Sequence, residues 1–394
     1  LRVIGVVTVG RSDYGIYRPI LRAIQADPDL HLHLIIAGAH LTDDFGDTIS
    51  EIERDGFKVG DRIDMLLASD KPAAIGKSIG LGMIGFTQCY DSHRPDVLLV
   101  LGDRFEMHAA ALAAVPFKIP IAHVHGGEVT EGAIDDALRH AITKYSHLHF
   151  ASNEEHARRI AQLGEQPASI VITGAPSLDN LRSMKLCDRS ELEKRLDLSL
   201  DLPPLLVTYH PVTLQFERAE WQIDELCAAL AGVRHPIVLT KPNADTNGRL
   251  IIRKLKEFAA SRPRDVRLVD NLGTAAYFGL MRYAGAMVGN SSSGVIEAAS
   301  FRLPVVNIGI RQRGRPTSRN VLDCGNRREE IAAAMDEALS LEFRETLEGL
   351  VNVYGDGHAA ERIVERLKTL PLDDSTLIKH FYDMRPQPAD TVLP

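Results

Sequence analysis

The chain has 394 residues, 45% of them hydrophobic and 25% charged, the composition of a globular protein long enough for two hydrophobic cores. A formal charge of −8 lacks the basic surplus of a general nucleic-acid binder, so no nucleic-acid partner is expected, while local arginines can still hold a small anion. No apolar run approaches the roughly 20 residues that span a bilayer, and Cys89, Cys187, Cys227 and Cys324 have neither metal-ligand nor redox spacing; a cytoplasmic protein with reduced thiols and no membrane partner is expected.

Residues 2–9 are apolar but too short for a secretory segment, and they read as a buried strand. The turn after it, Gly-Arg-Ser-Asp-Tyr-Gly (10–15), brings Arg11 and Asp13 to the strand's carboxyl end. Arg11 can reach a phosphate from there, and Asp13 can also cap a helix predicted over 14–26. Further apolar runs at 32–37, 97–101, 119–124, 148–151 and 169–173 alternate with helices predicted at 73–92, 104–115, 133–145 and 154–163. Strands that are apolar without alternation are buried on both faces, as in a parallel sheet covered by helices. In such sheets ligands sit beyond the carboxyl ends of the strands, so the polar residues there are the ones to examine.

The run 97–101 delivers Gly-Asp-Arg-Phe-Glu (102–106), with Asp103 and Arg104 side by side; a plain salt bridge is the competing reading. The run 119–124 delivers His-Val-His-Gly-Gly-Glu (123–128), followed by a helix on which Asp135 and Arg139, and Asp136 and His140, are spaced i,i+4. His125, Glu128 and Asp135 together offer the separate acids and bases that proton-transfer chemistry needs. No further ligand of established spacing completes a zinc set with His123, His125 and Glu128, so no metal is expected there.

Residues 1–182 are assigned to a first domain, and the charged stretch 183–204, ending in Pro203-Pro204, to a linker region. A second series of strands at 205–209, 236–240, 266–269, 286–288 and 305–308 fills a second domain, 205–370, before an irregular tail, 371–394. Whether the helix 357–370 crosses back to the first domain stays open. Two Rossmann-like α/β domains facing across a cleft are the economical architecture.

The second series also ends in polar turns. His210, in His-Pro-Val-Thr (210–213), faces the cleft as an acid or a diphosphate ligand, and Lys-Pro-Asn-Ala-Asp (241–245) adds Asn243. Asn271, Leu272 and Gly273, with Tyr277 and Phe278, offer a base pocket, with core packing as the alternative for the apolar members. Gly-Asn-Ser-Ser-Ser-Gly (289–294) contributes Asn290, Ser291, Ser292 and Gly294 in a turn that opens a helix near 295, which suits a diphosphate. Glu297, on the first turn of that helix, can accept both hydroxyls of a ribose, or merely complement the helix dipole. Arg311, Arg313 and Arg315 follow the next strand beside the same mouth. Neither a G-x-G-x-x-G after the first strand nor a P-loop motif is present, so neither a dinucleotide redox cofactor nor P-loop nucleotide chemistry is expected.

In this order, GRSDYG, GDRFE, HVHGGEVTEGAIDDALRHAITK, HPVT, PNAD, GNSSSG, RQRGR and YGDGHAAERIV (354–364) resemble the UDP-N-acetylglucosamine 2-epimerase family, most of all its hydrolysing branch that feeds sialic-acid-type sugar synthesis. The resemblance implies a glycosyltransferase-B-like fold, UDP held mainly by the C-terminal domain, no metal or redox cofactor, and a homo-oligomer, dimer or tetramer. It implies loss of the C2 proton and of UDP from C1 to give a 2-acetamido-glycal. Water then adds at C1 and a proton at C2 from the opposite face, releasing UDP and N-acetylmannosamine. The alternative substrate is UDP-2,4-diacetamido-2,4,6-trideoxyglucose, on the legionaminic acid route. The alternative activities are a non-hydrolysing epimerase, a glycosyltransferase and a catalytically silent UDP-sugar sensor. By the resemblance Arg11, His210, Ser291, Ser292, Glu297 and Arg311 surround UDP, and Asp103 and Asp135 take part in proton transfer, with Arg104 beside the first. Where many relatives read His-x-Glu-Gly-Gly, this chain has His125; either His125 takes the acid–base role, or Glu128 or Asp135 does.

Overall fold

The computed structural model describes residues 1–42, 48–69, 71–131, 133–242, 247–270 and 272–384. The first apolar run forms β1 (Arg2–Thr8), followed by β2 (Leu30–Ala37), β3 (Val59–Ile63), β4 (Val97–Leu101), β5 (Ile121–Val124), β6 (Leu148–Ala151) and β7 (Ile170–Ile172). These make one sheet in the order β3-β2-β1-β4-β5-β6-β7. The second series is β8 (Leu205–Thr208), β9 (Ile237–Thr240), β10 (Val266–Val269), β11 (Ala286–Gly289), β12 (Val305–Ile308) and β13 (Val321–Cys324), in the order β10-β9-β8-β11-β12-β13. Every pairing in both sheets is parallel. Each order reverses direction next to its first strand, between β1 and β4 and between β8 and β11, which opens a crevice at the carboxyl ends there.

Helices cover both faces. In the second sheet successive side chains point to opposite sides: Val207, Val288 and Val306 enter one core, while Leu206, Met287 and Val305 enter another. Residues 183–204, read above as a linker region, include the helix Arg189–Leu196, which Asp188 opens with a capping box. Its Leu192 and Leu196 join the second of those cores, so this stretch packs with the second sheet. The helix Ala359–Thr369 does cross back: Ile363, Val364 and Leu367 belong to the core of the first sheet. Asp179 secures the crossing by accepting from the Ala359 and Ala360 amides at 3.0 and 2.7 Å.

The two strands absent from the sequence reading, β3 and β13, are the polar edges of their sheets. Val59–Ile63 alternates between half-buried and exposed residues over most of its length, unlike the continuously buried β4. Among the described residues no helix is long and apolar enough to cross a membrane.

Candidate functional site

The carboxyl ends of both sheets face one open cavity, a concave site of the kind that small ligands occupy. Its wall on the second unit begins at Gly289, where β11 ends with φ +137 and a Cβ would lie 2.0 Å from the Thr208 carbonyl oxygen. Only glycine fits that conformation and that approach. The next residue, Asn290, is fully buried; its side chain accepts from the His210 amide (2.7 Å) and donates to the His210 carbonyl (2.9 Å). It therefore ties the ends of β8 and β11 together instead of lining the cavity. Gln312 and Arg311 donate to the Asn290 carbonyl at 2.8 and 3.2 Å, fixing the loop after β12 against the same turn.

Ser291 caps the short helix Ser292–Ile296, and Ser291 and Ser292 line the cavity. Gly294 does not: a Cβ there would meet Val305 Cγ1 at 2.9 Å, so its smallness serves helix-on-strand packing. Glu297 also differs from its predicted position. It stands at the carboxyl end of this five-residue helix, the wrong end for a dipole partner. Its carboxylate is buried in the cavity wall, accepts from Ser177 Oγ on the segment Pro176–Leu178, and keeps Oε2 without a hydrogen-bond partner among the described residues. Burial pushes this carboxyl above its usual range. Gly273, Tyr277 and Phe278 line the cavity nearby, whereas Asn243, Asp245 and Asn271 lie outside the described residues.

On the first unit, Arg11 lines the cavity and donates across it to the Asp270 carbonyl. The first helix starts at Arg11 with Gly10 as its N-cap, so Asp13 is inside the first turn and is not the cap. Asp13 is buried behind the cavity wall, and burial pushes its carboxyl up to about 6. Asp103 and Arg104 do not pair with each other: Arg139 donates to Asp103, while Arg104 meets the buried Glu106 at 3.1 Å. His210 lines the cavity among three cations. Burial, then the charges of Arg311, Arg104 and Arg11, hold its imidazole well below the usual histidine range. A pocket that keeps a histidine neutral beside three guanidiniums is prepared for an anion.

After β5 the chain turns sharply. His125 takes φ +63, a left-handed conformation that costs a non-glycine residue about 1–3 kcal/mol and clusters at functional sites. The turn aims the ring into the cavity, with Nδ1 held by Glu128 Oε1 at 2.5 Å. Glu128 is buried and does not line the cavity; Arg315 Nη2 (3.0 Å) and Ser152 Oγ (3.1 Å) complete its shell. Burial alone would push this carboxyl up, but His125 and Arg315 outweigh that and hold it below the usual carboxylate range. Arg315 thus leaves the mouth expected for it and crosses to the first unit, where its Nε also donates to the Val129 carbonyl at 3.2 Å. Of the five acid–base candidates, His125 and His210 line the cavity, while Asp103, Asp135 and Glu128 do not. Sequence reasoning missed Ser177 and Thr208, which also line it: Thr208 sits inside the apolar run 205–209, and Ser177 follows the run 169–173 behind Gly174, Ala175 and Pro176.

A family model described as UDP-N-acetylglucosamine 2-epimerase matches residues 22–368. The chain is 37% identical to the GDP/UDP-N,N'-diacetylbacillosamine 2-epimerase (hydrolyzing) of Campylobacter jejuni, over 97% of this chain and 99% of that protein. It is 38% identical to the UDP-N,N'-diacetylbacillosamine 2-epimerase (hydrolyzing) of Legionella pneumophila, over 96% and 99%. It is 28% identical to a UDP-N-acetylglucosamine 2-epimerase of Neisseria meningitidis, over 85% and 87%. The fold is similar to the crystal structure of UDP-GlcNAc 2-epimerase from Neisseria meningitidis bound to UDP-GlcNAc, with a TM-score of 0.79, 19% identity and coverage of 93% and 99%.

Proposed function

Since the chain belongs to the UDP-N-acetylglucosamine 2-epimerase family, we propose that it is a hydrolysing 2-epimerase of UDP-N,N'-diacetylbacillosamine, with its two parallel sheets arranged as a glycosyltransferase-B-like fold. That substrate is UDP-2,4-diacetamido-2,4,6-trideoxyglucose. The near full-length similarity to two relatives named for it supports this choice over UDP-N-acetylglucosamine, which the sequence motifs alone put first.

The observation that carries the chemistry is the His125–Glu128 pair, 2.5 Å apart, facing a cavity whose opposite wall is the serine turn. UDP lies with its diphosphate between Ser291, Ser292, Arg11, Arg311 and His210, and Glu297 takes the ribose hydroxyls. His125, oriented by Glu128, exchanges a proton at C2 on one face of the sugar. By the family resemblance Asp103, held by Arg139 and 22% exposed, serves the other face, although it stands outside the cavity lining in this structure. Loss of the C2 proton and breakage of the C1–oxygen bond give the glycal and UDP. The arginines stabilise the charge that develops on the departing diphosphate. Water adding at C1 and a proton at C2 then give free 2,4-diacetamido-2,4,6-trideoxymannose.

The test is to supply UDP-N,N'-diacetylbacillosamine and UDP-N-acetylglucosamine in parallel, in deuterated water. The expected result is UDP release with one solvent deuterium at C2 of the free product, and kcat/KM at least tenfold higher for the diacetamido sugar. Turnover of UDP-N-acetylglucosamine alone would refute the substrate. A product still joined to UDP would refute hydrolysis.

A further inference from the structure

At the outer edge of the first sheet, away from the cleft, four side chains of metal-binding types meet. His33 stands on β2, Asp61 on the edge strand β3, and Cys89 and His93 at the carboxyl end of the helix Pro72–Ser92. Asp61 Oδ2 is the hub: His33 Nε2 lies 2.7 Å from it, His93 Nδ1 3.2 Å and Cys89 Sγ 3.4 Å. The donor atoms of His33, Asp61 and His93 all lie within 4.8 Å of one another. Around a tetrahedral zinc, metal–ligand distances of about 2.0–2.3 Å put donor atoms roughly 3.3–3.8 Å apart. The contacts of His93 and Cys89 with Asp61 Oδ2, 3.2 and 3.4 Å, match that spacing; Cys89 stands outside the mutually close set of His33, Asp61 and His93 and joins it by turning its thiol from Asp61 toward the imidazoles.

The strand is also shaped for this cluster. A Cβ on Gly60 would lie 2.7 Å from His33 Cε1 and 2.8 Å from Nδ1, so the imidazole occupies the space that a side chain beside Asp61 would fill. Glycine weakens a strand interior, and an edge strand that accepts it here gains room for the ring. Asp61 Oδ2 has room for two donors, yet two imidazoles and a thiol converge on it. His93 is 59% exposed, which leaves a path from solvent. None of these residues lines the cleft.

We propose that His33, Asp61, Cys89 and His93 bind one divalent zinc-class ion that clips β3 to β2 and to the end of the helix. Two imidazoles, a carboxylate and a thiolate are a donor set suited to zinc, and four protein ligands close the site, as in structural zinc centres. On binding, Cys89 gives up its thiol proton to solvent and the sulfur becomes a thiolate ligand. The ion holds the edge strand in place and takes no part in turnover.

The experiment uses the full chain, stripped with EDTA and titrated with zinc chloride by calorimetry, and with cobalt chloride by absorption. The expected result is one tight equivalent per chain, tetrahedral cobalt bands in the visible, and a thiolate-to-cobalt charge-transfer band that Cys89→Ser removes. His93→Ala, at an exposed position, keeps the fold and weakens zinc binding at least tenfold; His33→Gln does the same from the buried side. Zinc slows hydrogen exchange in β3 and leaves the second sheet unchanged. Equal zinc affinity in wild type, His93→Ala and His33→Gln would overturn the site, as would a wild-type cobalt spectrum with no thiolate band.

Discussion

Glu128 is the residue whose removal separates holding the fold together from preparing the reaction. Its buried carboxylate has three close partners, His125 Nδ1 at 2.5 Å, Arg315 Nη2 at 3.0 Å and Ser152 Oγ at 3.1 Å, with His156 Nδ1 farther off at 4.0 Å. Glu128→Gln keeps the shape but leaves the Arg315 guanidinium buried without its counter-charge. Breaking one side of such a pair costs about 3–5 kcal/mol of stability. Removing both charges, in Glu128→Gln with Arg315→Met, restores most of that, because a neutral pair carries no desolvation debt. Turnover follows a different rule. His125 needs an anion on Nδ1 to fix its tautomer and to stabilise the imidazolium, and the double variant still lacks one. An acid–base group contributes about 10²–10⁴ in rate, or roughly 3–5 kcal/mol at 1.36 kcal/mol per decade. Both variants are therefore expected to lose at least a hundredfold in kcat, measured as UDP release from UDP-N,N'-diacetylbacillosamine. Only the single variant should show a large fall in Tm. A double variant with near wild-type kcat would refute the assignment of His125 as a proton carrier oriented by Glu128.

Three further predictions follow from individual residues. Glu297→Gln removes a carboxylate whose Oε2 has no hydrogen-bond partner among the described residues; hydrogen bonds to a charged group are worth about 1.5–3 kcal/mol, so the Kd for UDP measured by calorimetry should rise about 10–100-fold, and an unchanged Kd would remove Glu297 from the ribose site. Asp13 has its carboxyl pushed from 3.8 to about 6 by burial, so the unfolded chain ionises first and the folded state is penalised as pH rises, by about 3 kcal/mol once both are ionised; Asp13→Asn should raise Tm more at pH 8 than at pH 5, and an equal gain at both would contradict the raised value. His210 is held low by burial and by Arg311, Arg104 and Arg11, so adding UDP should move its titration, followed by NMR, upward, and UDP should bind more tightly as pH falls; an unmoved or lowered titration would take the diphosphate away from His210.

Much of this site can be read from sequence because strand ends are punctuated by polar turns. Arg11, His125, His210, Ser291 and Ser292 each follow a continuous apolar run, and the parallel topology then brings those ends together. What sequence hides has physical causes. β3 and β13 are edges with solvent on one side, so they lack the apolar continuity that marks β4. Glu297 is misread by position, because the helix before it ends after five residues instead of starting there. Arg315 follows a strand like Arg311, yet its partner is 187 residues earlier in the chain, and no local spacing records that. The same holds for His33, Asp61 and Cys89: successive members are 28 residues apart, far from any metal-binding spacing, and only the pairing of β2 with β3 brings them together.

The crossing of Arg315 also ties the motion of the two units to the chemistry. Arg315 belongs to the loop after β12 in the second unit, and Glu128 to the loop after β5 in the first. Gly314 next to it has φ +82 and packs on Val129, and the Glu131 amide donates to the Arg313 carbonyl at 3.5 Å, so the contact is a clasp of backbone as well as charge. If the second unit swings away to admit or release a nucleotide, Arg315 must leave Glu128. The same movement removes the guanidinium that helps to keep Glu128 ionised beside His125. Closing the cleft over UDP and setting the proton carrier are then one event, and water excluded by closure strengthens both interactions. A chain with Arg315→Met alone should therefore still bind UDP through Ser291, Ser292 and Glu297, with Kd within about threefold of wild type, while kcat falls. Tight UDP binding with full turnover in that variant would uncouple closure from catalysis.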